Sequence, residues 1–366
     1  MTSVRNRTLF IYWGRRGYLS ALVLELAKVS DGEALFSVSR QNELFDQIRS
    51  SGASILPVDT FNRSFGAVSS LFRLSQIRRE LLAAIEEHGV GKVVVLIPHV
   101  WTPMIADCIR NTGAQYVVLV HDATNHPGDA TALVNRWLLR DALKADEVVT
   151  LSGYVNSALI ARFPQLQGRT SSLFLPVIRS SAVNGHAVSR RPKGFLFFGR
   201  LLAYKGLPLF IEACELLRAR GAEFRIGVAG EGNLGELSGR LAALNAVVTN
   251  RWIAHDEVAA ILSQYDCMVL SNVEASQSGV VALAHGFGIP VAATPVGGLT
   301  EQIRHRCSGL IARDVSATAL ADAMELFITD ADLRRRLSEG VATTQNEFSV
   351  AHFFQKITER QGEKIQ

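Results

Sequence analysis

Short runs rich in valine, isoleucine and leucine alternate along this chain with longer segments of helical periodicity. The first run is "TLFIYW", Thr8 to Trp13, and a helical pattern follows it from about Tyr18 to Lys28. Strands that alternate with helices in this way pair in parallel, so the pattern predicts parallel α/β sheets. The later runs that we predict as strands are Ala34–Val38, Ser54–Pro57, Lys92–Pro98, Gln115–His121, Ala145–Ser152, Gly194–Phe198, Glu223–Ala229, Ala246–Trp252, Cys267–Ser271 and Pro290–Thr294.

The length of the chain and one aperiodic segment indicate two domains. At 366 residues the chain exceeds what one hydrophobic core usually supports. The segment between Pro176 and Pro192 is rich in Ser, Arg, Pro and Gly, which is typical of a linker. We therefore predict two doubly wound, Rossmann-like α/β domains that face a cleft. Their predicted bounds are 1–178 and 194–345, with a linker at 179–193 and a C-terminal helix at 346–366 that could cross back to the first domain.

Composition places the chain among cytoplasmic globular proteins. Hydrophobic residues make up 48% and charged residues 20%. The four scattered cysteines suggest buried thiols in a reducing compartment, and Arg15 and Arg16 interrupt the apolar stretch that a signal peptide would need. No apolar run is long enough to span a bilayer. The net charge of +4 is compatible with phosphate-bearing ligands or an anionic membrane face, and is too small to indicate nucleic acid.

Two cationic residues follow the first predicted strand of the second domain. In "FFGRLLAYKG" the strand ends at Gly199, and Arg200 and Lys205 lie on the connection to the next helix. A guanidinium and an ammonium in such a connection can converge on a diphosphate. The alternative is that both are solvated loop charges, and the stretch alone does not decide between the two.

A second polar connection follows the predicted strand "CMVLS". Glu274 lies on the predicted loop, and Ser276-Gln277-Ser278-Gly279 open a predicted helix that runs through Gly286. The free N–H groups of a helix N-terminus attract phosphate, and small residues let it approach. A carboxylate at such a place would instead accept hydrogen bonds from sugar hydroxyls. The alternative is an ordinary helix cap in which Glu274 only favours the helix dipole.

Taken in order, several blocks resemble a known family. "VLVHDATNHPGD", "FFGRLLAYKG", "VAGEGNL" and "SNVEASQSG…GIPVAATPVGGLTE" are similar to retaining glycosyltransferases of the GT-B fold, glycosyltransferase family 4. The resemblance covers nearly the whole chain and is strongest from Phe195 to Gly309. The Ser-Gln-Ser-Gly variant resembles a subgroup that is associated with bacterial surface-polysaccharide assembly.

The resemblance implies a nucleotide-sugar donor that is bound mainly by the C-terminal domain, with an acceptor-side N-terminal domain. Arg200 and Lys205 match the family's diphosphate-binding pair, and Glu274 matches the first Glu of its Glu–seven residues–Glu motif, near the donor sugar. The second Glu, which usually holds the ribose, is absent. Counting forward from Glu274 puts its position at Ala282, and counting back from the "GIPV" segment puts it at Leu283. The two counts differ by one, so the chain also has an extra residue between these landmarks. The donor-binding residues that the resemblance implies are Gly14, Gly17, Gly230, Ser276, Gln277, Ser278, Gly279 and Val280.

In the first domain, His121 ends a predicted strand and opens "HDATNHPGD". In the resembling family the His at this place reaches the donor sugar, so His121 joins Arg200, Lys205 and Glu274 as a predicted catalytic residue. Weaker candidates for acceptor contact are Arg15, Arg16, His126 and Asp129.

A metal requirement is not expected. His121, Asp122, His126 and Asp129 could be ligands, but no partner cluster elsewhere completes a site. Asp330-Ala331-Asp332 fits a metal motif superficially, and a helix cap explains it fully. We therefore expect neither a metal nor another cofactor, and cationic side chains would stabilise the leaving diphosphate.

The predicted reaction is transfer of a sugar, with retention, from a nucleotide-diphosphate sugar to a saccharide or lipid-linked saccharide acceptor, in bacterial surface or exopolysaccharide assembly. The alternatives are a GT-B-like sugar-nucleotide epimerase and a non-catalytic nucleotide-sugar-binding subunit. Two basic amphipathic segments, Asn62–Ile85 and Leu133–Lys144, could lie on an anionic membrane, or be ordinary helices with solvated arginines. If these segments lie on an anionic membrane, the protein would be peripheral at the inner face of the cell membrane.

Overall fold

The computed structural model describes residues 6–60, 71–123, 132–180 and 193–359. It divides the chain into two compact units. The N-terminal unit comprises the described residues up to Phe174 and those from Val350 onwards, and the C-terminal unit comprises Leu175–Ser349. Both units are parallel α/β structures, as the alternation of apolar runs and helical segments predicted.

The N-terminal unit is built on seven parallel strands in the order β3-β2-β1-β4-β5-β6-β7. The central strands are buried along almost their whole length, which explains their continuous apolar sequences. The strands are β1 (Arg7–Tyr12), β2 (Ala34–Ser39), β3 (Ser54–Val58), β4 (Val90–Val95), β5 (Gln115–Val120), β6 (Glu147–Thr150) and β7 (Thr170–Ser172). The helices are α1 (Tyr18–Val29), α2 (Phe45–Arg49), α3 (Leu71–Glu87), α4 (Thr102–Arg110), α5 (Ala132–Lys144) and α6 (Gly153–Arg162), with a 3-10 turn at Pro164–Leu166.

The C-terminal unit is built on six parallel strands in the order β10-β9-β8-β11-β12-β13. The strands are β8 (Lys193–Phe198), β9 (Phe224–Ala229), β10 (Val247–Thr249), β11 (Cys267–Leu270), β12 (Val291–Ala293) and β13 (Gly309–Ile311). The helices are α7 (Leu207–Ala219), α8 (Leu237–Ala243), α9 (His255–Leu262), α10 (Gly279–Gly286), α11 (Leu299–Gln302), α12 (Ala317–Thr329) and α13 (Ala331–Glu347), with a 3-10 turn at Ala203–Lys205.

Strand order fixes where a ligand can bind in each sheet. In the first sheet the chain moves outward from β1 in one direction and from β4 in the other, and in the second sheet it does so from β8 and β11. Such a reversal leaves a crevice beyond the carboxyl ends of the two adjacent strands, where doubly wound sheets bind their ligands. Each sheet is therefore expected to bind a ligand at these connections, after β1 and β4 in the first sheet and after β8 and β11 in the second.

The last helix, α14 (Val350–Thr358), belongs to the N-terminal unit and packs on α1. Its buried residues Val350, Phe353 and Ile357 lie on one face. The buried Lys92 donates its ammonium to the carbonyls of Ile357, at 3.0 Å, and Glu359. A cation at the C-terminal end of a helix satisfies its free carbonyls and interacts favourably with its dipole.

The bounds of the units differ slightly from the predicted ones. The C-terminal unit begins at Leu175 and not at the predicted linker, because Val177 and Ser180 donate backbone hydrogen bonds to Phe348 and Gly286 of that unit. At the other end, α13 runs to Glu347, beyond the predicted bound of 345. Most of the predicted linker, residues 181–192, lies outside the described residues.

Candidate functional site

The connection after β8 carries Arg200 and Lys205 in a tightly folded turn. Gly199 and Gly206 both have positive φ, 110° and 68°, which glycine adopts without the cost that a Cβ imposes. Arg200 is exposed, whereas Lys205 is partly buried and its Nζ lies 5.2 Å from the ring centroid of Tyr204. Gly206 is the N-cap of α7, so both cations lie between the end of β8 and the start of a helix.

This turn is fastened to the end of β11. A Cβ on Gly206 would lie 1.9 Å from the carbonyl oxygen of Ser271, so only glycine permits the approach. The hydroxyl of Ser271 donates to the carbonyl of Gly206 at 2.8 Å and also contacts that of Lys205 at 3.2 Å. Val273 donates its N–H to the carbonyl of Tyr204 at 2.9 Å. The backbone that carries Lys205 is therefore held against the strand that leads to Glu274.

Helix α10 begins at Gly279, and its first turn approaches the same place. Ser278 is the N-cap, and its hydroxyl accepts a hydrogen bond from the N–H of Val280 at 3.2 Å. A Cβ on Gly199 would lie 3.5 Å from the Cγ2 of Val280, which puts the end of β8 in contact distance of this turn. Among the described residues, the N–H of Gly279 has no hydrogen-bond acceptor. A free N–H at a helix N-terminus is suited to an anion.

The start of α10 corrects the sequence prediction in one respect. We predicted that Ser276-Gln277-Ser278-Gly279 open the helix. In the structure Ser278 is extended and its side chain caps the N-terminus, so the helix begins only at Gly279. Ser276 and Gln277 therefore lie before the helix, and only the amides from Gly279 onward belong to it. Ser276 is buried and Gln277 is partly buried.

Glu274 lies in the loop between β11 and α10. It is partly exposed, and its backbone carbonyl accepts a hydrogen bond from the side-chain amide of Asn272 at 3.3 Å. Asn272 is buried, and its own carbonyl accepts from the hydroxyl of Thr294. The loop conformation at Glu274 is thus set by buried polar residues. The same loop contacts the turn that carries the two cations, through the hydrogen bond from Val273 to Tyr204.

Gly230 follows β9 with a φ of 148°, and a Cβ there would lie 1.9 Å from the carbonyl oxygen of Gly199. Ala282 and Leu283, the two positions at which the second Glu was sought, both lie on α10. Ala282 is buried and Leu283 is partly buried, and neither can accept a hydrogen bond from a ribose.

In the N-terminal unit, the loop after β1 contains Gly14 and Gly17. Arg15 and Arg16 are exposed on it. The loop is held by Glu43, whose carboxylate accepts from the N–H of Gly17 at 2.7 Å and whose own N–H donates to the carbonyl of Arg15 at 2.8 Å. The sequence did not indicate Glu43, because the contact joins segments that are far apart along the chain.

His121 lies at the end of β5, in the same unit. Its Nε2 is 2.7 Å from the carbonyl oxygen of Leu96, and since a carbonyl only accepts, Nε2 carries the proton. Burial lowers the pKa of His121 below its usual 6.5, so the ring is neutral at pH 7 and its Nδ1 is unprotonated. His126 and Asp129, the two weaker acceptor candidates of this loop, lie outside the described residues.

His99 is a polar residue at the ligand edge that the sequence did not single out. It follows β4 and lies edge-on to Trp13 and Trp101, with ring centroids 5.6 Å and 5.0 Å away. Burial lowers the pKa of His99 to about 4. Its position after a predicted strand was the only available signal.

Within the described ranges, no group of three His, Cys, Asp or Glu side chains could hold a metal ion. Asp330 caps α13 by accepting from the N–H of Leu333 at 2.8 Å, which confirms the helix-cap interpretation.

No helix in the described part of the chain is long and apolar enough to cross a membrane. Trp137 of α5 donates to the carbonyl of Val100 at 2.8 Å and so contacts its own unit.

Part of the chain is similar to a known family of glycosyl transferases. Residues 192–330 match the family described as "Glycosyl transferases group 1". The alpha-D-kanosaminyltransferase of Streptomyces kanamyceticus is 24% identical over 291 residues, 73% of each chain. The D-inositol 3-phosphate glycosyltransferase of Pseudarthrobacter chlorophenolicus is 33% identical over 181 residues, 46% of this chain and 42% of that one. The amylovoran biosynthesis glycosyltransferase AmsK of Erwinia amylovora is 28% identical over 180 residues, 46% of this chain and 44% of that one.

Among solved structures, Anabaena Alr3699/HepE in complex with UDP and glucose superposes with a TM-score of 0.72 at 14% identity, covering 96% of this chain and 98% of that one. At this level of identity the superposition shows the fold. The match of residues 192–330 coincides with the unit that carries Arg200, Lys205 and Glu274. The chain therefore has the GT-B fold, and its C-terminal unit is similar to group 1 glycosyl transferases.

Proposed function

We propose that this chain is a metal-independent, retaining glycosyltransferase of family 4 that uses a nucleotide-diphosphate sugar as its donor. The acceptor is a lipid-linked saccharide, and the reaction belongs to the assembly of a bacterial surface or exopolysaccharide. The polysaccharide assignment is supported by the resemblance of the Ser-Gln-Ser-Gly segment and by the name of the relative AmsK. The nucleotide-sugar donor is supported by the UDP that the Anabaena neighbour binds.

One observation carries the proposal: the connection that holds Arg200 and Lys205 meets the loop and the helix start that follow β11. The contacts are those of Gly206 with Ser271 and of Gly199 with Val280. They occur where the strand order of the C-terminal sheet reverses, which is where ligands bind in such sheets. Two cations and a free helix N–H in this position suit a pyrophosphate.

The chemistry follows from that arrangement. The bond between the anomeric carbon and the diphosphate oxygen breaks, and the acceptor hydroxyl attacks the anomeric carbon from the same face. Its proton passes to the departing diphosphate oxygen, so the products are the glycoside and the nucleoside diphosphate. Arg200, Lys205 and the N–H of Gly279 stabilise the negative charge that develops on the leaving group, which is the main catalytic contribution.

Glu274 and His121 orient the donor sugar. A carboxylate accepts hydrogen bonds from two neighbouring hydroxyls and does not attract the phosphates. The hydrogen bond between Nε2 of His121 and the carbonyl of Leu96 fixes the orientation of the ring that would contact the sugar. The glycines after β1 and β9, and the polar residues before α10, let the donor approach the backbone closely.

The experiment that tests the function is a thermal-shift panel with UDP-, GDP- and ADP-glucose, UDP-galactose and GDP-mannose. The donor that stabilises the protein is then incubated with lipid-linked and free saccharide acceptors, and the product is analysed by mass spectrometry and NMR. We expect a new glycoside whose anomeric configuration equals that of the donor. Nucleotide release without a glycoside would favour an epimerase, and donor binding without any turnover would favour a binding subunit.

The acceptor places the enzyme at a membrane surface in the cytoplasm. We propose that the basic helices α3 and α5 contribute to this peripheral contact, with Arg73, Arg136 and Arg140 exposed on them. Flotation with vesicles of phosphatidylglycerol and phosphatidylcholine should recover the protein with these anionic vesicles at low salt. At about 0.5 M salt the protein should not be recovered, because salt screens the charges. Recovery of no protein with the anionic vesicles would contradict the membrane contact without touching the transfer reaction.

A cyclitol phosphate is a second candidate acceptor. It is favoured by the name of the D-inositol 3-phosphate glycosyltransferase, the relative at 33% identity. The exposed Arg15 and Arg16 could pair with its phosphate. Including inositol phosphates among the acceptors of the transfer assay distinguishes the two candidates.

A further inference from the structure

The start of α10 is held by a residue from another helix. Gln302, the last residue of α11, accepts a hydrogen bond from the N–H of Ser278 at 2.7 Å through Oε1. Through Nε2 it donates to the carbonyl of the same residue at 3.2 Å. One side-chain amide therefore engages both backbone groups of the N-cap residue, and Ser278 is only 2% exposed.

The sequence around Ser278 explains why such a contact is needed. Gly279 and the two valines that follow it make a poor first turn, because glycine is the least favourable helix residue after proline and β-branched residues lose side-chain freedom in a helix. The Ser278 cap marks where α10 can begin, and a fixed partner outside the helix stabilises that cap.

Gln302 can be that partner because its own position is fixed. It lies between Leu299 and Ile303, which are 0% and 1% exposed. Both belong to the same hydrophobic core cluster as Ala275 and Val281, which flank and open α10. The amide group is thus attached to a packed turn, and it does not depend on a mobile surface chain.

The contact also selects which N–H groups remain for a ligand. The N–H of Ser278 is used by Gln302, and the N–H of Val280 and Val281 are used by the hydroxyl and the carbonyl of Ser278. This leaves the N–H of Gly279 as the first-turn donor without an acceptor among the described residues. Its direction depends on the conformation of Ser278, which Gln302 holds.

We propose that Gln302 is a positioning residue for the donor: by clamping Ser278 it aims the N–H of Gly279 at the terminal phosphate of the nucleoside diphosphate. This inference rests on the proposed function, since it requires a pyrophosphate beside α10. Gln302 itself touches no ligand.

Gln345 provides a matched control. It is also a glutamine from a neighbouring helix, α13, and it donates to the carbonyls of His285, at 2.6 Å, and Gly286, at 3.4 Å, at the other end of α10. Its substitution removes side-chain contacts to the same helix far from Gly279. A purely structural role of Gln302 would give both variants the same behaviour.

The experiment compares Gln302→Met with Gln345→Met. Calorimetric titration of the wild type with UDP and UMP, GDP and GMP, and ADP and AMP identifies the base and gives the preference for diphosphate over monophosphate. We expect Gln302→Met to reduce that preference about tenfold, because the misdirected N–H loses one hydrogen bond to the terminal phosphate. Gln345→Met should leave it within about twofold of the wild type, a difference below one such bond. Gln302→Ala serves as a second variant that removes the same amide, should Gln302→Met not fold.

The outcomes separate the inference from the function on which it rests. If the wild type prefers a diphosphate and the Gln302 variants keep that preference, the positioning role is wrong and the proposed function stands. If both glutamine variants lose the preference equally, Gln302 is only structural. If the wild type binds none of the three diphosphates, the proposed function fails and the inference fails with it.

Discussion

The backbone of Gly206 passes so close to Ser271 that a Cβ at residue 206 would lie 1.9 Å from the carbonyl oxygen of Ser271. The two residues belong to the connections after β8 and β11, which are neighbouring strands of the sheet. Their contact is reinforced by the hydroxyl of Ser271, which donates to the carbonyl of Gly206 at 2.8 Å. It fixes the cationic turn relative to the loop that holds Glu274.

Gly206→Ala should therefore impair both stability and donor binding. The residue has a φ of 68°, which costs a side-chain-bearing residue about 1–2 kcal/mol, and the new methyl group must displace backbone at a further cost of about 1–3 kcal/mol. We expect the free energy of unfolding to fall by about 3 kcal/mol in urea denaturation, and the stabilisation by the nucleotide sugar to be lost.

Gly221→Ala is the control for that variant. Gly221 has a similar φ of 80°, but a Cβ there meets no atom within 4 Å. It should lower the free energy of unfolding by only about 1 kcal/mol, from backbone conformation alone. Equal losses in the two alanine variants would show that the contact with Ser271 carries no stability of its own.

Arg200→Ala and Lys205→Met should each reduce turnover about 100-fold, because each removes positive charge from the departing diphosphate. Since Arg200 is exposed, its loss should leave the melting temperature nearly unchanged. The variants are compared with the wild type by initial rates at saturating donor and acceptor, measured as nucleoside diphosphate released. Arg335→Ala, at an exposed arginine paired with Asp332 on α13, should keep wild-type turnover. Near-normal rates in both site variants would remove these residues from the mechanism.

Acid should destabilise the protein through His285. Burial lowers the pKa of this residue of α10 to about 4 from the usual 6.5, so the folded state resists a proton that the unfolded state accepts. Its stabilising contribution is present above pH 6.5 and is lost as the pH falls towards 4. Between pH 6.5 and 4.5 this residue should cost about 2 kcal/mol.

Urea denaturation of the wild type and of His285→Gln across pH 4.5 to 7.5 isolates that effect. The raised pKa of Asp141, about 6, acts in the opposite direction in both proteins and cancels in the comparison. The variant should show a flatter pH dependence by about 2 kcal/mol, the linkage contribution of a single histidine. Parallel curves would mean that His285 is not a source of acid sensitivity.

The elements that the sequence predicted well are those whose residue pattern reflects burial. Strands β1, β4 and β5 were found because they are buried on both faces and are therefore continuous apolar runs. Strands β7 and β13, each at the edge of its sheet, were not predicted, and "TSS" in β7 has no apolar residue at all. A strand at the edge of a sheet needs little apolar sequence, so it leaves little signal.

The same distinction applies to the candidate site. Arg200, Lys205, Glu274 and His121 could be selected because polar residues that follow apolar strands are visible along the chain. The contacts that organise them were not predictable, since Gly206 and Ser271, or Ser278 and Gln302, are brought together only by folding. A helix such as α11, with four residues and no periodicity, gives no indication that its last side chain has a role.

Turnover should not require a divalent metal ion. Because Arg200 and Lys205 are proposed to take the leaving-group charge, a divalent ion has no step to perform. Turnover measured after dialysis against EDTA should remain within about twofold of the untreated enzyme, and adding Mg²⁺ or Mn²⁺ should not raise it further; losing the stabilisation of a bound metal would instead reduce it by several orders of magnitude. If EDTA abolished the activity and Mn²⁺ restored it, a metal ion would be stabilising the leaving diphosphate together with Arg200 and Lys205.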